Sequence, residues 1–320
     1  MQFTHKTDTK TQVKIKSSEN VSFMTYVMQN KWLYIFLAIG MIYLFIFNYL
    51  PMYGVVIAFQ NFSPVKGFLK SEWVGLANFK YLFHSRDFIE VFKNSILISL
   101  YRIFWGFPAP IILALMLNEV KNLVFKRSIQ TVVYLPHFIS WVVLASMVVN
   151  FLAPSGGLVN NIIVALGGKP ISFLTSTKWF RTVLVVTDIF KGVGWGTIVY
   201  LASMTSIDPG LYEAAIIDGA TRMQRIKYIT LPGISSTIVV LLVLRMGGIL
   251  RNGFEQIFLL YSPLVYPVAD VFETYTYRVG LLEGRFSYAT AVGLFQSVVG
   301  FILIMLTNRI SKIINGSSLW

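Results

Sequence analysis

The sequence predicts an all-α integral membrane protein with six transmembrane helices, and three observations carry that prediction. Apolar residues make up 55% of the chain and charged residues only 13%, against about 25% charged in a soluble domain; mean hydropathy is +0.66. The apolar residues gather into runs of the length a bilayer requires, about 20 residues each. The charged residues fall between those runs rather than along one face, so the net charge of +13 reads as membrane orientation and lipid contact, not nucleic-acid binding. Cysteine is absent and His5, His84 and His137 are scattered, which excludes disulfides, thiolate chemistry and a cysteine or histidine metal cluster. Gly168-Lys169-Pro170 lacks the upstream glycine and the hydroxyl of a phosphate-cradling loop, so the chain is not itself an ATPase of that kind.

The elements follow in order. Residues 1–30 are polar, hold Lys6, Lys10, Lys14 and Lys16, and read as a cytoplasmic tail near anionic lipid. The membrane-spanning body is expected over 31–314, with a short tail at 315–320. A first span is expected over 32–59, which carries no charge and starts too late for a cleaved signal peptide. The second covers 94–118 and contains Arg102. Residues 128–168 are uncharged, but Pro154-Ser155-Gly156-Gly157 divides them into a third span over 129–152 and a piece at 158–166 too short to cross. A fourth span over 182–205 carries Asp188 and Lys191, a fifth over 228–250 carries Arg245, and a sixth over 286–308 carries no charge. Six spans place both termini on one side. Short loops decide which: Lys121, Lys126 and Arg127 cluster in one and Arg222, Arg225 and Lys227 in another, while the stretch 154–177 holds only Lys169. Both termini are therefore expected in the cytoplasm.

The informative loop is 206–232. Asp208 is a good N-cap and Pro209 suits the first helical position, where its missing N–H costs nothing. Leu211, Ala214 and Ala215 give that helix a small-residue face, and Gly219 suits the left-handed turn that ends it. A second helix is expected from about Ala220, with Arg222, Arg225 and Lys227 outward and Met223 and Ile226 inward. It is expected to stop near Leu231, because Pro232 disfavours helix at the residue before it. From spacing alone, an ordinary amphipathic loop and a rigid docking element fit equally.

Glu213-Ala214-Ala215, then Gly219, then Leu231-Pro232, with Asp208, Asp218, Ala220 and Thr221 around them, resembles the EAA loop of ATP-binding-cassette (ABC) importer permeases. Pro51-Met52-Tyr53-Gly54, residues 73–79, 106–110, 115–119, 253–257, 261–270 and 287–293 resemble the polysaccharide and oligosaccharide subgroup of sugar permeases. The resemblance spans nearly the whole chain. It implies a type I importer transmembrane fold whose loop, with Glu213 and Gly219 as motif residues, fits a cleft on a separate ATPase. It further implies a homologous second permease forming a heterodimer, a dimer of cytoplasmic ATPases carrying the Mg-ATP, and an extracellular sugar-binding protein or lipoprotein. No cofactor is expected on this chain.

Charge inside a membrane is costly and marks function by default. Counted along their helices, Arg102, Asp188, Lys191 and Arg245 all fall in the outer halves, with Arg102 and Asp188 at similar depth. Two readings stand: Asp188 pairs with Lys191 one turn away while the arginines snorkel, or all four line a wet cavity around the sugar. Gly192, Gly194 and Gly196 around Trp195 suit close helix packing, and Trp195 also suits stacking on a pyranose. Asn48 and Asn150 are further candidates for the path, and Trp32, Tyr53 and Trp179 suit interfacial anchors. Three cations against one anion at this depth favour an acidic, uronate-containing oligosaccharide. A secondary transporter would need a complete site in one chain, often built from repeats. A membrane glycan enzyme would need a paired-acid, metal or nucleophile constellation, which the sequence does not offer.

Overall fold

The computed structural model describes residues 23–315. Residues 1–22 of the expected N-terminal tail, with His5 and its four lysines, and 316–320 of the C-terminal tail lie outside the described residues; 23–29 of the expected tail are helical. The chain divides into two units, Met1–Gly54 and Val55–Trp320. In the first, the helix Lys31–Leu44 runs on through a wide π turn, Phe45–Tyr49, into Leu50–Met52, and none of its residues is buried.

Four helical runs are long and apolar enough to cross a membrane: Lys31–Phe59, Arg86–Asn118, Phe180–Met204 and Phe286–Arg309. Two bent pairs bring the number to six. The second span begins earlier than 94, where Ser85 caps the helix by accepting from Phe88 N. The third, expected as one rod over 129–152, is instead Leu123–Phe138 followed by Trp141–Leu152, bent by 103°. Pro136 sits in the last turn of the first piece, Ile139 and Ser140 are extended, and Ser140 Oγ caps the second piece by accepting from Val143 N at 3.4 Å. A proline removes one ladder bond and crowds the carbonyl four residues back, so the rod breaks there. The fifth span is likewise two pieces, Arg222–Gly233 and Ser235–Gly247, bent by 60°, rather than one helix over 228–250.

Pro232 does not stop the helix at Leu231 as expected. The π turn Ile226–Thr230 precedes it, and helix continues through Leu231–Gly233. The same pairing recurs elsewhere: the π turn Phe45–Tyr49 precedes Pro51, and Arg102–Gly106 precedes Pro108. A wider turn moves the carbonyls away from the pyrrolidine ring, so the chain keeps its helical course at a residue that otherwise kinks it.

In the second unit the fourth span is the centre. Gly194 lies against the third span so closely that a Cβ there would fall 2.0 Å from Val133 O, and one on Gly196 would fall 3.0 Å from Pro110. These glycines serve packing, as one of the two expectations held; Gly192 has open space. Ala114, Tyr200, Met204 and Ile234 form an inner core, while Phe88, Phe272, Tyr275 and Ala291 belong to a separate one. Residues 254–283, between the fifth and sixth spans, fold back into the body as helices Phe254–Leu260 and Phe272–Tyr277. They are fastened by side chains of two spans: Asn94 Nδ2 donates to Pro267 O and Asp270 O, each at 3.2 Å, and Arg181 Nε donates to Val268 O at 3.0 Å. Among the described residues the one strand pairing is a two-residue antiparallel pairing of Gln60–Asn61 with Glu72–Trp73.

Candidate functional site

Three of the four charged residues within the spans come together. Asp188 Oδ2 lies 3.9 Å from Arg102 Nε and 3.4 Å from Arg245 Nη2, joining the second, fourth and fifth spans. Arg102 is buried, with its side chain 8% exposed. Its Nη1 donates to Asn252 O at 2.5 Å and its Nη2 to Gln256 Oε1. Gln256 is fixed in turn, its Nε2 donating to Leu184 O at 2.8 Å and Thr187 Oγ1 at 2.7 Å. Asn252 is held through its Nδ2 to Ser95 O, by Ser99 Oγ, and through its own N–H to Glu273 Oε1 at 2.9 Å. An arginine at the centre of a span costs about 3 kcal/mol, and hydrogen bonds involving a charged group return about 1.5–3 kcal/mol each. Two such bonds and a counter-ion therefore suffice to keep Arg102 in place. The buried Glu273 carboxyl is pushed up from its ordinary range by desolvation, against the Asn252 N–H and the nearby Arg102 and Arg251.

This cluster lines a cavity of about 320 Å³ with Ser99, Arg102, Asp188, Arg245, Arg251 and Asn252 on its wall. Three guanidiniums face one carboxylate there, a local excess of two positive charges (3 − 1). Of the four charges expected either to pair and snorkel or to line a wet cavity around the sugar, Arg102, Asp188 and Arg245 share the wall of this one cavity. Lys191 does not, and the alternative Asp188–Lys191 pair does not form either, because both residues find tertiary partners. Lys191 Nζ donates to His137 O at 2.9 Å and to Ile139 O, capping the carbonyls freed at the 103° bend, and lies 5.5 Å from the Trp141 ring. Trp195 stacks on His137, centroids 4.5 Å apart and planes 5° from parallel, so one ring face is covered. Asn150 is exposed on Trp141–Leu152 and does not line this cavity. Asn48 is exposed in the π turn of the first unit. Ser99, Asn252, Gln256 and Glu273 carry no charge pattern or spacing that marks them in the sequence as site residues; only Gln256 lies in a run, 253–257, that carries part of the family resemblance. Among the described residues no group of three His, Asp or Glu side chains is placed to hold a metal.

The loop after the fourth span has the predicted form with shifted details. Asp208 Oδ1 accepts from Gly210 N at 2.9 Å, and helix Pro209–Ile217 follows. Gly219 has φ +77°, and Ala220 N donates back to Ala215 O at 2.8 Å, closing the left-handed cap. The next helix starts at Arg222, not Ala220, because Thr221 and Gln224 form a reciprocal capping box. Tyr212 and Thr230 hydroxyls, 2.9 Å apart, tie the two helices, and Ile207 packs on Gly233 with no room for a Cβ. Glu213, Asp208 and Asp218 are exposed, and so are Leu211, Ile216, Ile217 and Met223. Met223, expected inward, is 71% exposed: the helix is too short and too far from the core to bury it.

Residues 106–315 match the family described as binding-protein-dependent transport system inner membrane component. Over 298 residues the chain is 48% identical to protein LplB of Bacillus subtilis, covering 93% of this chain and 94% of that one. Over 300 residues it is 46% identical to the polygalacturonan/rhamnogalacturonan transport system permease protein YteP of the same organism, covering 94% of each. A crystal structure of a bacterial ABC transporter involved in import of the acidic polysaccharide alginate contains a chain 45% identical, with a TM-score of 0.85 over 91% of this chain and 99% of that one. A second, of the alginate transporter with an alginate pentasaccharide-bound periplasmic protein, gives 44% and 0.86 over 94% of this chain and 100% of that one. The chain is therefore a transport component rather than an enzyme, and it belongs to the family of binding-protein-dependent transport system inner membrane components.

Proposed function

We propose that this chain is the permease subunit of an importer for acidic, uronate-bearing oligosaccharides, and that Arg102 and Arg245 meet the sugar carboxylates. The observation that carries the reading is the cavity at membrane depth whose wall holds Arg102, Arg245 and Arg251 against Asp188 alone. Unbalanced charge there is expensive, and a guanidinium fork matches a carboxylate. Relatives named for polygalacturonan and rhamnogalacturonan transport and for alginate import support the same substrate class. Half of the translocation path would come from a homologous second permease. A separate ATPase pair holding Mg-ATP would dock on the exposed residues of 206–232, with both termini and this loop in the cytoplasm. An extracellular binding protein would deliver the sugar. The doubly capped loop with its apolar tip (Leu211, Ile216, Ile217, Met223) is suited to that docking.

The test is uptake by the reconstituted complex of size-matched uronate and neutral oligosaccharides, with Arg102→Gln and Arg245→Gln beside wild type. Uronate uptake should exceed neutral uptake and should fall in both variants, with Arg245→Gln assembling normally. Preference for the neutral sugar, or full uronate uptake in both variants, would overturn the reading.

A further inference from the structure

One carboxylate oxygen serves both cavity arginines of the spans, and the two are held unequally. Arg102 is buried and anchored by Asn252 and Gln256, yet its Nε is buried without a hydrogen-bond acceptor. Arg245 is 48% exposed, and Asp188 is its one ion-pair partner among the described residues. Neither separation, 3.9 Å or 3.4 Å, reaches the roughly 2.7–2.9 Å of a close charge-assisted bond. An orphaned donor and a loosely held cation thus sit on two side chains that line the same cavity, with Asp188 between them. Arg251 shares that wall, and Glu273 sits behind it, accepting from Asn252 N. Lys191 is taken up by carbonyls at the bend and does not enter the balance.

We infer that Asp188 is a resident counter-ion which a substrate carboxylate displaces, so that Asp188 sets both the affinity and the release of the transported sugar. The inference rests on the acidic-oligosaccharide reading given above. In the empty cavity Asp188 offsets the two arginines, which unpaired would be costly in this setting. A uronate carboxylate entering the cavity takes over Arg245 and supplies the acceptor that Arg102 Nε lacks. One ion pair is exchanged for another, and no proton moves. The exchange holds the net gain small, which a transport site needs: binding strong enough to admit the sugar and weak enough to let it go. A neutral sugar carries no charge to exchange, so it leaves the Arg245–Asp188 pair in place and gains nothing from its removal.

Binding is measured on the complete transporter in nanodiscs without its binding protein, and uptake on the same transporter in proteoliposomes with it. Binding of trigalacturonate and of neutral galactotriose is measured for wild type, Asp188→Asn, Arg245→Gln and the double variant. Asp188→Asn should bind trigalacturonate about tenfold more tightly, with galactotriose unchanged and the maximal uptake rate of trigalacturonate lowered because release is slowed. The double variant keeps the wild-type net charge and serves where Asp188→Asn alone does not assemble. It should bind trigalacturonate more tightly than Arg245→Gln, since Arg102 is then free of its competitor. Equal or weaker binding in Asp188→Asn, or a double variant no tighter than Arg245→Gln, would overturn the counter-ion role while leaving the substrate reading intact. Trigalacturonate binding and uptake that ignore Arg245→Gln altogether would remove the substrate reading itself.

Discussion

The intramembrane cluster and the loop at 206–233 are opposites. The cluster is polar and buried: Arg102, Asn252, Gln256 and Ser99 hydrogen-bond one another within a body of apolar spans, with Arg102 Nε alone of its nitrogens left without an acceptor. The loop is capped at every end yet presents Leu211, Ile216, Ile217 and Met223 outward. Each region runs against the solvent its position implies, polar where the surroundings are lipid and apolar where they are water. Such inversions are hard to retain for stability alone, because buried ion pairs add little net stability and exposed apolar groups mark interaction surfaces. They also differ in what fixes them: the cluster by tertiary bonds from distant segments, the loop by local capping.

That contrast can be broken by substitution. Arg102→Leu should show the largest effect, because it strips partners from Asp188, Gln256 and the Asn252 carbonyl at once. A loss of about 3–5 kcal/mol is expected for a broken buried network, read as failed assembly or a much lower melting temperature of the purified complex. The half-exposed Arg245→Gln should move it by under about 1 kcal/mol. Equal stability losses would show that the two arginines are not held differently.

Gly219→Val acts on the loop and should be smaller in stability but complete in function. A β-branched residue at φ +77° is strained by about 1–2 kcal/mol, enough to disturb the turn while the spans still insert. Membrane insertion, retention of the ATPase on purification and sugar-stimulated ATP hydrolysis are the measurements. Unaltered stimulated hydrolysis would remove the turn from coupling. Met223→Ser should be the mildest, with stability within about 0.5 kcal/mol and a measurably weaker hold on the ATPase. A destabilised complex with an unchanged hold would mean that Met223 is covered by its own chain.

Hydropathy located the four long apolar helical runs and both bent pairs, because an apolar run of bilayer length reads the same whatever it packs against. The bends escaped it. Ile139-Ser140 and Ile234 sit inside apolar stretches, and only the proline nearby hints at a break; Pro232, read as a stop, proved compatible with continued helix once a π turn preceded it. The first helix of the loop was legible almost residue by residue, since Asp208, Pro209 and Gly219 act on their own neighbours, whereas the Thr221 cap that starts the second went unread. In the cluster the charged members were legible singly but not their partners. Asp188 and Lys191, three residues apart, suggest a local pair, yet Asp188 meets arginines of two other spans and Lys191 meets a helix end. Asn252 and Gln256 come from a segment whose course back into the body no local pattern announces.

The 60° bend at Ile234 has a mechanical consequence. The capped helix pair below it is short, stiff and tied by Tyr212 and Thr230, while Ser235–Gly247 above it carries Arg245 near its far end. Two rigid arms joined at an angle form a bell crank, with the contact of Ile207 on Gly233 lying beside the elbow. In that geometry a push along the lower arm would turn into a sideways swing of the upper one, and so would move the guanidinium of Arg245, the looser of the two that Asp188 holds.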